Sequence, residues 1–140
     1  MSSEKTLILI KPDGVRRGLV GEVISRIEKK GYSVTALRML QADRSILEKH
    51  YAEHNGKPFY EPLLEFMGSG PIVAMIAEGN RVIEGFRSLA GATDPTVAAP
   101  GTIRGDLGRD QGTKVVQNIV HGSDSPESAA REIAIFFEGK

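Results

Sequence analysis

The chain has no cysteine, so disulfides are excluded and a cytoplasmic setting is the natural expectation. It also lacks an excess of either charge: 18 Lys+Arg balance 18 Asp+Glu, for a formal net charge of zero. A non-specific nucleic-acid binder carries a basic surplus, so that class is disfavoured. Any positive site must therefore be assembled locally from a few converging side chains. No apolar stretch approaches the roughly 20 residues of a membrane span. The apolar run in MSSEKTLILIK is also too short for a signal peptide, so no membrane partner is expected. Internal repeats and low-complexity segments are absent too. What remains is an ordinary globular composition, 40% hydrophobic and 26% charged over 140 residues, which predicts one domain spanning residues 1–140.

Apolar runs and breakers divide that length into elements. TLILI (6–10) reads as a buried strand ended by the turn Lys11-Pro12-Asp13-Gly14. Residues 18–30 place Val20, Val23, Ile24 and Ile27 at helical spacing, with Gly31 as the C-terminal cap. SVTALRML (33–40) reads as a second strand, Ser45 to His54 as a helix, and EPLLEFMGSG as a further short helix. PIVAMIAEG (71–79) is a third strand, after which Asn80 is placed to cap a helix running to Leu89. A long irregular stretch, 91–113, holds Thr93, Arg104 and Asp106; such loops in compact domains are usually functional or disordered. KVVQNIVH (114–121) is expected as the fourth strand. Ser125-Pro126 then starts the last helix, whose apolar face carries Ala129, Ile133, Phe136 and Phe137. The order β-α-β-(α-α)-β-α-β predicts an α+β, ferredoxin-like split βαβ sandwich. Its four-stranded antiparallel sheet would carry helices and an inserted helical hairpin.

Four short patterns suggest chemistry and fail on inspection. HYAEH (50–54) has the H-x-x-E-H spacing of a zinc site, but no further histidine lies near enough in sequence to suggest a third ligand. The plainer reading is a helix with two histidines on one face. GRDQGTK (108–114) is too short for a phosphate loop and places Lys after Thr. RGD (104–106) has no accompanying sign of secretion, and HGSDS crowds His, Ser and Asp too closely in sequence for triad geometry.

Other residues carry more weight. Lys11 ends a buried strand, held by Pro12 and Gly14, where it either snorkels to water or meets a phosphate. Arg87 and Arg104 are taken singly as solvated charges, and Phe59 as core or as a stacking platform. His121 is the only histidine after residue 54 and stands at a strand mouth beside Gly122, which admits close backbone approach. Ser123 and Asp124 follow, just before a helix N-terminus that favours anions. Glu132 on that helix lies where a carboxylate could orient the imidazole, as reactive histidines require; the plain alternative is an inert loop histidine.

LILIKPDGVRRGLVGEVISRIEKKGY, HYAEHNGKPFYEPLLEFMGSGPIVAM, PGTIRGD and NIVHGSDSPESAAREI together resemble nucleoside diphosphate kinase, from about Lys5 to Phe137. The resemblance implies transfer of the terminal phosphate of a nucleoside triphosphate to a nucleoside diphosphate. The cycle would be ping-pong, through a phosphohistidine at His121. It implies that Glu132 orients the imidazole with Ser123 close by, and that Lys11 and Asn118 contact ribose hydroxyls and phosphate oxygens. Tyr51, Arg87, Thr93 and Arg104 would hold phosphates, while Phe59 would stack on the base and Leu63 line the cleft. Mg²⁺ would arrive with the nucleotide, with no dedicated protein cage. Stacking reads no hydrogen-bond code, so broad base specificity is expected. A homo-oligomer, tetramer or hexamer, is also implied, with edge strands and the 91–113 loop at contacts.

One departure from the family pattern stands out: LGRDQGTKVVQ (107–117) is about four residues longer than expected before the active-site strand. The chain stops just after its last helix, which is expected of a bacterial-type member. The competing reading is a ferredoxin-like nucleotide-binding or regulatory module without catalysis. Zero net charge and a full set of matched site residues argue against it.

Overall fold

The computed structural model describes residues 3–138. Its sheet has four antiparallel strands in the order β2-β3-β1-β4, where β1 is Glu4–Ile10, β2 Ser33–Leu40, β3 Ile72–Gly79 and β4 Val120–Gly122. This is the ferredoxin-like arrangement expected from the element order. Among the described residues, no helix is long and apolar enough to cross a membrane.

The continuous apolar run of β1 follows from its central place, because helices cover both faces of the sheet. Ile8 and Ile10 pack on one face with Met75 of β3, with Val23 and Ile27 of α2 (Val20–Lys30), and with Val82 and Phe86 of α5 (Val82–Ala90). Leu7 and Leu9 point the other way, to Leu47 of α3 (Arg44–His50), Leu64 and Met67 of α4 (Tyr60–Met67), and Phe136. Successive side chains alternate between faces, so no position from Thr6 to Ile10 reaches water. Phe86 and Phe136, one per layer, are essentially fully buried, and each contributes about 1.5–3 kcal/mol relative to exposure. Edge strand β2 contrasts with β1, leaving Leu37 and Met39 half or more exposed.

Several elements differ from the sequence expectation. The Lys11–Gly14 turn continues into a short helix, α1 (Pro12–Arg16), with proline at its start where no N–H is missed. The predicted 45–54 helix is two pieces: α3, capped by Asp43 accepting from Ile46 N at 2.9 Å, and a 3₁₀ turn over Ala52–His54. Asn80 does not cap α5. Arg81 takes the cap position in left-handed backbone (φ 55°), and the carboxylate of Glu4 on β1 accepts from Ile83 N at 3.2 Å. A short helix α6 (Ile103–Leu107) interrupts the long loop, capped by Thr102 accepting from Gly105 N. The last helix, α7 (Pro126–Ile133), starts as predicted, with Ser125 Oγ accepting from Ser128 N at 3.0 Å; it relaxes into a π turn over Ala134–Glu138.

The largest correction concerns the fourth strand, which pairs only over Val120–Gly122 and not from Lys114. Its start is cut by Ile119, a β-branched residue at φ 76°, with Val120 N donating to Asn118 O at 2.8 Å. This is a γ-turn of the rare, strained kind. A non-glycine residue held there costs of order 1–3 kcal/mol and persists only when surrounding contacts over-determine it. Those contacts are visible. Asp13 Oδ2 accepts from Ile119 N at 3.0 Å, Lys11 N donates to Ile119 O at 2.7 Å, and the Ile119 side chain is fully buried.

Candidate active site

That strained turn joins two loop ends over the sheet. Leu9 pairs with His121 across the β1–β4 ladder, so Lys11, two residues on, emerges beside the segment that carries Asn118. The two are tied directly, Lys11 Nζ donating to Asn118 Oδ1 at 2.8 Å. The other end of the same amide donates to Thr93 O at 3.0 Å, so one buried side chain clamps β1, the β4 approach and the long loop. Burial, together with the charge of Arg104 and against that of Asp13, lowers the Lys11 ammonium to about 8.

Arg104 is not a solvated surface charge. Its guanidinium donates to three backbone carbonyls, Val120 O at 2.6 Å, Gly91 O at 2.9 Å and Asn118 O at 3.2 Å. Burial and then the charge of Arg87 bring it down to about 10, partly offset by Asp13. Two cations thus sit partly desolvated beside a third, Arg87, at one end of an open cavity of about 350 Å³. Taking charges out of water with few carboxylates to pair them is expensive. The arrangement makes physical sense when an anion completes it.

His121 lines the same cavity. Its Nε2 lies 2.9 Å from Glu132 Oε1, and Ser123 Oγ donates to that same oxygen at 2.7 Å. Ser123 is itself fixed, accepting from Leu7 N at 3.2 Å. Burial opposes ionisation of Glu132 most strongly, yet the hydrogen bonds from His121 and Ser123 outweigh it, and the carboxyl is held below its ordinary range. An ionised carboxylate only accepts, so Nε2 carries the proton and Nδ1 keeps the lone pair. Among the described residues, Nδ1 makes no hydrogen bond. Gly122 has a packing reason as well: a Cβ there would meet the ring of Phe86 at 2.6 Å.

The structure brings most of the expected residues together. Lys11, Tyr51, Arg87, Thr93, Arg104, Asn118, His121 and Glu132 all line the cavity, and Ser123 stands behind Glu132. Tyr51 is buried, and burial followed by the Glu132 charge raises its hydroxyl pKa, so it remains a donor. Phe59 and Leu63 are outside that lining. Phe59 is 42% exposed, its ring 5.2 Å from that of His54, and Leu63 packs against the α3–α4 layer.

Two residues escaped the sequence reading. Asp13, in the turn after β1, is the buried carboxylate that holds Ile119. His50, the first histidine of HYAEH, does not act with His54: its ring packs edge-on against His121 at 4.8 Å and against Phe136 at 5.3 Å. The signal was present, since His50 follows Ile46 by one helical turn and so shares its inward face. Burial, and then the neighbouring His121, push His50 down to about 3, so it stays neutral. One donor atom each from His50, His121 and Glu132 lie within 4.8 Å of one another, a group able to hold a metal; His54 is not in it.

Comparison with known proteins shows what the chain resembles. A family profile described as nucleoside diphosphate kinase matches residues 4–140. A nucleoside diphosphate kinase of Streptomyces avermitilis is 61% identical over 139 residues, covering 99% of this chain and 98% of that protein. One of Carboxydothermus hydrogenoformans is 58% identical over 135 residues, covering 96% and 88%. The structure of a halophilic nucleoside diphosphate kinase from Halobacterium salinarum in complex with CDP superposes with a TM-score of 0.91 at 45% identity. It covers 98% of this chain and 89% of that one.

Proposed function

The chain belongs to the nucleoside diphosphate kinase family, and on that premise we propose how its own residues move a terminal phosphate from a nucleoside triphosphate to a nucleoside diphosphate. The proposal takes residues 1–140 as a single nucleoside diphosphate kinase domain. The observation that carries it is the Glu132 carboxylate shared by His121 Nε2 and Ser123 Oγ, which leaves Nδ1 with the free lone pair.

Nδ1 attacks the terminal phosphorus, an N–P bond forms, and the bond to the bridging oxygen breaks, releasing the diphosphate with the electron pair. Positive charge developing on the imidazole is stabilised through Nε2–H by Glu132, which is already ionised and aligned. The incoming diphosphate then reverses the sequence, restoring His121 for the next cycle. Transfer of this kind asks mainly for positioning and charge neutralisation. Arg87, Arg104 and Lys11 supply the charge, Tyr51 and Thr93 donate hydroxyls to phosphate oxygens, and Asn118 and Lys11 reach the ribose. Phe59 stacks on the base, and Leu63 flanks it; neither carries a base-specific hydrogen-bond code, which supports broad base specificity.

Mg²⁺ prefers oxygen ligands, and the metal-capable group in the cavity is two imidazoles and one carboxylate. The cation-rich wall fits Mg²⁺ carried on the substrate's phosphate oxygens, where it neutralises charge. We also place the chain in a homo-oligomer. The exposed Leu37 and Met39 on edge strand β2, and Val97 at 69% exposure on the long loop, support contacts there.

Intact-protein mass after brief exposure to Mg·ATP, then after GDP, tests the scheme. One acid-labile phosphate on His121 that GDP removes, with GTP formed, is expected. An unchanged mass with ATP bound would reduce the protein to a nucleotide-binding module.

A further inference from the structure

His50 has no part in the transfer scheme, yet it is 4% exposed with its Nδ1 lacking any hydrogen-bond partner among the described residues. A buried polar atom left unpaired is unfavourable, and native structures rarely keep one without a reason. Its ring meets His121 edge-on, and its burial keeps it neutral, the form that ligates metals.

We infer that His50, His121 and Glu132 form an inhibitory site for Zn²⁺, open in the unphosphorylated protein and closed by phosphorylation. Two imidazole nitrogens and one carboxylate oxygen suit zinc and leave a fourth position open to the cavity. The same donors suit Mg²⁺ poorly, so the substrate's own cation does not fill the site. In a tetrahedral zinc site, donor atoms lie about 3.3 Å apart. Here they span up to 4.8 Å, so side-chain rotations of roughly 1–2 Å close the set. Glu132 can keep Ser123 on Oε1 and Arg131 at 3.6 Å from Oε2, while its hydrogen bond from His121 gives way where zinc takes Nε2.

Inhibition follows from the electron count. Neutral imidazole has one ring-nitrogen lone pair. If zinc takes Nδ1 of His121, that pair is used and Nε2 keeps its proton. If zinc takes Nε2, the displaced proton moves to Nδ1. In both cases no lone pair remains to attack phosphorus. Conversely, a phosphoryl group on Nδ1 of His121 uses that pair, while Nε2 keeps its proton in the hydrogen bond to Glu132. Zinc would then have to displace that proton to solvent, because Nδ1 can no longer receive it.

The binding rests on geometry alone; its consequence rests on His121 being the phosphoryl acceptor. The test is Zn²⁺ titration in competition with a chromogenic chelator, without nucleotide. It compares unphosphorylated protein, phosphoprotein made with Mg·ATP and then freed of nucleotide, and the variants His50→Gln and His54→Gln, with folding followed by circular dichroism. One zinc per chain is expected for the unphosphorylated protein. Affinity should fall by more than about 10-fold on phosphorylation and in His50→Gln, and stay unchanged in His54→Gln. Equal affinity for the phosphoprotein or for folded His50→Gln, loss with His54→Gln, or no binding at millimolar zinc would overturn the site. If His50→Gln does not fold, the two wild-type forms decide. If no phosphoprotein forms but folded His50→Gln still loses zinc, the site stands and the assignment of His121 as acceptor falls.

Discussion

The two ends of the nucleotide cleft are built differently. At the phosphate end, four polar side chains are tied in place: Arg104 by three carbonyls, Lys11 by Asn118, His121 by Glu132, and Glu132 by Ser123. At the base end, Phe59 stands 42% exposed with only His54 and Lys57 beside its ring, and Leu63 leans on its own helical layer. Chemistry needs donors and a nucleophile fixed before substrate arrives, since reorganisation at the moment of reaction raises the barrier. Base recognition by stacking needs only a flat face. On the proposed scheme the rigid end sets rate, and the loose end tolerates any base.

Substitutions can break this contrast. Glu132→Gln keeps the shape but removes the charge opposite Nε2–H, and lowers kcat by about 10²–10⁴-fold with little change in nucleotide affinity; single-turnover transfer from ATP measures it. Arg104→Lys keeps a cation but orphans carbonyls of Asn118, Gly91 and Val120. It should cost about 1–3 kcal/mol in urea unfolding, and lower kcat as well because the strained turn loosens. Equal stability would show that the fork of hydrogen bonds is not what holds the turn. Phe59→Ala, at the loose end, raises KM about tenfold for purine and pyrimidine nucleotides alike, with kcat preserved. A base-selective effect would overturn the idea that this end is unselective.

The smallest effect is in pH. Lys11, lowered to about 8, is charged below that value and neutral above it. Its attraction for phosphate is therefore present at neutral pH and lost as pH rises through about 8. The kcat/KM profile, which reports the free enzyme, should fall several-fold there. The kcat profile should fall only at higher pH, because bound phosphate favours the charged lysine. Coincident profiles would contradict this assignment.

Legibility in the sequence divides along the same line as the cleft. The sheet and its helices follow from local signals: TLILI as a run too apolar to alternate, Gly31 at a helix end (φ 109°), Ser125-Pro126 at a helix start. His121 and Glu132 could be paired because they lie 11 residues apart on adjoining elements, whereas the role of nucleophile came from the resemblance carried by NIVHGSDS. The strained turn at Ile119 could not be read, since isoleucine is a strand former and only distant contacts from Asp13 and Lys11 hold it left-handed. His50 was hidden for a similar reason: its neighbour in space is 71 residues away, while its neighbour in the HYAEH motif, His54, goes elsewhere. No regular element forms between Leu107 and Val120. Thr113 Oγ donates to Val115 O at 2.6 Å within an otherwise irregular approach to β4.

The central claim is that Glu132 fixes the His121 tautomer so that Nδ1 is the nucleophile. The most direct test is NMR of the phosphoprotein, with ³¹P and ¹⁵N-labelled histidine, to identify which ring nitrogen carries the phosphoryl group. Phosphate on Nδ1, with Nε2 still protonated, is the predicted result. Phosphate on Nε2 would require the 2.9 Å contact with Glu132 to break before reaction, and would contradict the account.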